Sequence, residues 1–166
     1  MRINRTSILW TTTLALVFMA QACNGSGGQL AGEDIEFTSV EALCDGDGKK
    51  MSIILTADVS DSETAKEIVR LEIDLDAITL GEEVDLAVLG GGAVVTYAVV
   101  GPREELPERM GDSGVRVLDG TAVSGTLTVD EASCEEPASA SGAMDAELAT
   151  SNGRDNFAVD VSFATD

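Results

Sequence analysis

The chain predicts an all-β fold over residues 34–166, a single antiparallel β-sandwich, with an open β-barrel as the alternative. Three observations carry this. Apolar and polar residues alternate with a period of two through most of the chain, the spacing of half-buried strands. Clusters of Gly, Asp, Asn and Pro interrupt the alternation, giving about eight or nine short strands at roughly 8–14-residue spacing. Only one short segment, near residue 60, carries helical signals.

In order, Ile35 and Phe37 open the first expected strand, which runs to Leu43 and Cys44. Asp45-Gly46-Asp47-Gly48-Lys49-Lys50 reads as a turn, because Gly and Asp tolerate the backbone angles that chain reversal requires. Met51, Ile53, Leu55, Ala57 and Val59 then alternate with polar residues, a second strand paired back on the first. Ser60-Asp61-Ser62-Glu63 has the form of a helix-capping box. However, Val69, Leu71, Ile73 and Leu75 alternate with Arg70, Glu72 and Asp74, so a strand is expected over 67–75 with at most one helical turn before it.

Val84, Leu86 and Val88, then Gly90-Gly91-Gly92, then the run from Ala93 to Val100 read as a hairpin closed by a glycine turn. Residues 101–114, with Pro102, Pro107, Gly111 and Gly114, form the longest expected loop, a reasonable place for a recognition surface. Three further strands follow, carrying Val123, Gly125, Leu127 and Val129, then Ala140, Gly142, Met144, Ala146 and Leu148, then Phe157, Val159, Val161 and Phe163. Glu135-Glu136-Pro137 and Ser151-Asn152-Gly153 separate them.

The first 22 residues have a different character. Arg2 and Arg5 precede an uncharged apolar run from Ile8 to Ala20 that ends in small residues, the pattern of a secretory signal peptide. The run is shorter than the roughly 20 apolar residues a membrane-spanning helix needs. Residues 24–33, rich in Gly and Ser, read as a flexible tether between this leader and the domain. Asn24-Gly25-Ser26 matches the glycosylation sequon, which the leader makes incidental.

Ala20-Gln21-Ala22-Cys23 resembles the lipobox of bacterial lipoproteins, with Ala20 and Gln21 where the commonest pattern has Leu and then Ser or Ala. The resemblance implies cleavage before Cys23, a diacylglycerol on its sulfur and an acylated amino terminus. It implies attachment to a membrane through that lipid, and Asn24 in place of Asp at the next position implies the outer membrane, on either face. The last 45 residues or so, with Val123-Ser124-Gly125-Thr126-Leu127-Thr128-Val129 and the strand from Phe157 to Phe163, are similar to the final strands of small bacterial lipoproteins of unknown function. That similarity assigns no site residues.

Cysteine arithmetic agrees with the lipobox. The chain has three cysteines, Cys23, Cys44 and Cys134. If Cys23 carries lipid, the other two make one disulfide in an oxidising compartment, each ending a predicted strand. The alternatives are a free Cys23 after plain secretion, and two separate thiols at Cys44 and Cys134.

Beyond the leader, eight Lys and Arg face 30 Asp and Glu, a net charge of −22. Affinity for nucleic acid comes largely from cations that neutralise phosphates, so nucleic acid is excluded as a partner. The charge is expected to keep the surface hydrated, with adaptation to a salty medium or loose binding of divalent cations as sharper readings. The absence of histidine removes Ser-His-Asp and Cys-His catalysis and imidazole metal sites. Phe37, Tyr97, Phe157 and Phe163 are the aromatic residues beyond the leader, few for a sugar-binding or base-stacking platform.

Gly48-Lys49-Lys50 lacks the first glycine and the hydroxyl residue of a phosphate-binding loop. Asp45 and Asp47 have the spacing of the first two ligands of a calcium loop, but Lys49 and Thr56 occupy the positions of its fifth and twelfth, so a charged turn is expected. No catalytic residue, metal ligand or cofactor is assigned.

The expectation is a non-enzymatic, lipid-anchored cell-envelope module, structural or binding an envelope protein partner. Its alternative is a divalent-cation-dependent adhesion or ligand-binding module, and a hydrolase built on a carboxylate pair ranks third.

Overall fold

A computed structural model describes residues 26–59, 62, 64–87, 92–101, 116–118, 122–149 and 156–165, apart from the side chains of 116–118, 122, 123 and 157. The leader, Cys23, all but the first residue of the loop expected over 101–114, and the turn at 151–153 lie outside those residues. The all-β expectation holds: among the described residues every regular element is a strand.

Among the described residues ten strands are formed: β1 (Gly27–Leu30), β2 (Glu33–Cys44), β3 (Lys50–Asp58), β4 (Lys66–Asp74), β5 (Glu83–Asp85), β6 (Ala93–Val100), β7 (Arg116–Leu118), β8 (Ala122–Ser133), β9 (Ser139–Ala149) and β10 (Asn156–Ala164). They build one antiparallel sheet in the order β5-β8-β9-β10-β1-β2-β3-β4-β6-β7, curled into a half-barrel. Continuity runs through β2. Its residues 33–36 pair with β1, and from Phe37 onward it pairs with β3, with a bulge between Phe37 and Ser39. A bulge inserts an unpaired residue and sharpens local bend and twist, so it lets one long strand belong to both halves of the curl.

The curl encloses the alternating apolar faces. Met51, Ile53 and Leu55 of β3, Val69, Leu71 and Ile73 of β4, and Val95 and Val99 of β6 meet Leu127, Met144, Leu148 and Val161 from the other half in one buried cluster. The predicted period-two faces of β3, β4 and β9 are buried, as are Leu127 and Val129 of β8 and Val159, Val161 and Phe163 of β10. Gly142 lies opposite both Phe163 and Val129, where a Cβ would come within 2.9 Å of the phenyl Cζ. A ring laid over a bare backbone position fills the sheet surface that a side chain would otherwise occupy.

Two expectations are corrected. Residues 27–30 and 33, read as part of a flexible tether, belong to the sheet and are joined by a turn at 31–32: β1 lies between β10 and β2, and Leu30 is 1% exposed. The domain therefore extends back to residue 26 rather than beginning at 34. The glycines that suggested a linker are required by close packing, since a Cβ on Gly28 would overlap the Asp160 carbonyl. The hairpin expected over 84–100 is absent. Glu83–Asp85 pairs with β8 at one end of the sheet order, whereas Ala93–Val100 pairs with β4 and β7 near the other. Val84 and Leu86 reach the core from the first half and Val95 from the second, so the chain crosses between halves instead of turning back on itself.

Candidate functional site

The chain enters the domain at Ser26. The Ser26 hydroxyl donates to the Ala164 carbonyl (3.2 Å) and accepts from the Ala164 N–H (2.8 Å), while the Ser26 carbonyl accepts from the Phe37 N–H (3.0 Å). These bonds bind the start of β1 to both neighbouring strands. Cys23, the expected acylation position, lies outside the described residues, three positions before this clamp.

Cys44 and Cys134 form a disulfide with Cα atoms 5.7 Å apart, joining the last residue of β2 to the residue after β8. Beside it lies the β2–β3 turn, with the Gly48 carbonyl oxygen 3.7 Å from Cys134 Sγ. Asp45 organises this turn. Its Oδ1 accepts from the N–H groups of Lys49 (2.9 Å) and Lys50 (3.2 Å), and its own N–H donates to the Lys50 carbonyl (2.9 Å). The Lys50 amide, then the Lys49 amide, hold the Asp45 carboxyl below its ordinary range. The Lys49 ammonium donates to Asp76 (2.8 Å), a bond that raises the lysine above its ordinary value.

The turn's own N–H groups thus engage the carboxylate that had the spacing of a first calcium ligand. Among the described residues no group of three or more Asp, Glu or Cys is placed to hold a metal ion.

Charge is divided between the two halves. Strands β1, β2, β5, β8, β9 and β10 contain no Lys or Arg. One register row on their outer face reads Asp85, Thr126, Asp145, Asp160, Gln29, Asp34 across six strands. Gln29 donates to Asp34 (3.2 Å), and on the neighbouring strands Asn156 donates to Glu147 (3.1 Å). Among the described residues the ion pairs are Lys49–Asp76, Lys66–Asp58 and Arg70–Glu72, all in the other half and all solvent-exposed. The sequence cue for this division was the absence of cations from residue 117 to 153, which composition by itself conceals.

Open grooves cross the outer faces formed by the described residues. One, of about 400 Å³, runs past Thr126, Asp145, Glu147 and Asn156. Another, of about 550 Å³, runs past Leu43, Ser52, Glu72 and Val94, which form one cross-strand row. Leu43 and Val94 are each 54% exposed there. Ser52 accepts from Arg70 (3.3 Å) and Glu72 pairs with the same guanidinium (2.9 Å). These partners orient a surface.

No protein-family model, no curated protein and no solved structure matches the chain. No helix among the described residues is long and apolar enough to cross a membrane.

Proposed function

We propose that the chain is a lipid-anchored protein of the bacterial cell envelope, held to the outer membrane through Cys23, whose β domain serves as a non-enzymatic structural or protein-binding module. The observation that carries this reading is Ala20-Gln21-Ala22-Cys23 placed directly after an arginine-led apolar run. The bridge between Cys44 and Cys134 supports it, because it accounts for two of three cysteines and leaves Cys23 the one that a disulfide within the chain does not explain. A disulfide also suits a compartment outside the reducing cytosol.

Two or three acyl chains, each burying many methylenes at about 0.8 kcal/mol apiece, suffice for a stable anchor without electrostatic attraction to lipid. We read the curled sheet as a sandwich in the packing sense, its two halves covering one another across the shared core. The exposed Leu43–Val94 row and the acidic row through Asp145 and Asp160 are the faces open to an envelope partner.

Detergent phase separation of protein from its expressing cells tests the anchor. Wild-type protein is expected in the detergent phase and Cys23→Ser in the aqueous phase. Recovery of wild-type protein in the aqueous phase with Cys23 unmodified would overturn the reading.

A further inference from the structure

We infer that the domain rests directly against the lipid headgroups, with the C-terminal end of β10 facing the bilayer. The inference builds on acylation at Cys23 and follows from how little chain separates that residue from the folded sheet.

A flexible connection over residues 24–33 would have a root-mean-square length of roughly 17–19 Å and could stretch to about 35 Å, enough to hold the domain clear of the membrane. Residues 27–30 and 33 are instead built into the sheet, joined by a turn at 31–32. Ser26 is itself fixed, its hydroxyl bonded twice to Ala164 and its carbonyl to Phe37. Three residue steps then join Cys23 to Ser26, a span of at most about 11 Å. The headgroup layer of one leaflet takes up roughly 5–8 Å of that, since a bilayer is about 40–45 Å thick with a hydrocarbon core of about 30 Å. What remains is about the length of one residue or two, too short for a stalk.

The uncharged neighbours at this end of the sheet are Ala164, Thr165, Phe37, Thr38, Ala140 and Ser141, while Glu131 stands opposite Ser141 and Asp166 follows Thr165 in the sequence. Thr165 closes the corner, its N–H donating to the Ala140 carbonyl (2.9 Å) and its hydroxyl accepting from the Ala140 N–H (3.0 Å). Glu36 and Asp160 lie further along their strands, beside Gly27 and Gln29.

Fluorescence quenching in proteoliposomes tests the orientation. Ala164 and Ala158 are both exposed on the same face of β10 and stand six residues apart, about 20 Å. With Cys23 acylated and Cys44 bridged to Cys134, Ala164→Cys and Ala158→Cys each supply one free thiol for a fluorophore. The acylated full-length protein is placed in phosphatidylethanolamine–phosphatidylglycerol vesicles containing a headgroup-labelled quencher lipid. Quenching is expected to be several-fold greater at 164 than at 158. Insertion of ten Gly/Ser residues between Asn24 and Gly25 is expected to abolish the difference. Equal quenching at both positions in protein whose acylation is verified by mass overturns the orientation while leaving the anchor intact. Protein found unacylated overturns the anchor and the orientation together.

Discussion

Cys44 ends the strand that bends from one half of the sheet to the other, and Cys134 follows the strand that carries the opposite half, yet their Cα atoms lie 5.7 Å apart across a sequence separation of 90. The bridge therefore clasps the curl at one end, where hydrogen bonds of the sheet do not join the halves. In the chain-entropy treatment a closed loop of this length stabilises the fold by about 4–5 kcal/mol. Denaturant unfolding with and without reductant is expected to show a loss of that order, matched by a Cys44→Ser/Cys134→Ser double variant. An unchanged midpoint on reduction would contradict the clasp.

Leu30 separates a strand from a tether. Its side chain is fully buried from a four-residue strand between β10 and β2. Leu30→Ala is expected to lower unfolding free energy by about 2–4 kcal/mol through lost burial and the cavity left behind. Gly28→Ala, which drives a Cβ into the Asp160 carbonyl, is expected to cost about 1–3 kcal/mol by overpacking. Calorimetry measures both, and no change in either would return residues 27–30 to the role of a linker.

The β2–β3 turn gives a pH signature. Asp45 is held below its ordinary range by the Lys50 and Lys49 amides, so the native state favours its ionised form. Its contribution is present above the ordinary carboxylate value near 3.8 and disappears as pH falls through the lower native value. Asp45→Asn is expected to melt below wild type at neutral pH, with the gap narrowing on acidification. A gap that stays constant down to strongly acid pH would contradict the charged hydrogen bonds as its cause.

Asp145 and Asp160 stand directly opposite one another on β9 and β10, both exposed. Like charges facing across strands destabilise a sheet by roughly 0.2–1 kcal/mol, and salt screens exposed charges. Asp160→Asn is expected to stabilise the domain at low ionic strength by an increment that shrinks as salt rises. Thermal melts over a salt series measure it, and equal melting of variant and wild type at low salt would remove repulsion as a feature of this face.

The strands that the sequence made legible are those with one clean apolar face. Met51 to Ala57, Val69 to Ile73 and Leu127 to Leu148 announce themselves because burial on one side of a pleated sheet imposes a period of two. β1 gave no such signal, since Gly27, Gly28, Gln29 and Leu30 contain one apolar side chain and two glycines, and what defines the strand is backbone approach to β10. The partners of β5 and β6 were also illegible. Alternation and a glycine cluster mark strand ends, but which strand lies beside which is decided by the shared core, and Leu86 and Val95 enter that core from opposite halves.

The bridge between Cys44 and Cys134 was expected, because an odd cysteine count with a sequence that resembles a lipobox at Cys23 leaves one pairing to make. The acidic row was not, because its members are spread over Asp34, Asp85, Asp145 and Asp160 and meet only when the sheet forms.

Acylation at Cys23 is the claim on which the proposed function and the membrane-facing orientation both depend. Mass spectrometry of the N-terminal peptide, taken from protein purified out of the cells that make it, tests it most directly. The expected peptide begins at Cys23 and carries a thioether-linked diacylglycerol. A peptide that retains residues upstream of Cys23, or an unmodified thiol at that position, would contradict it.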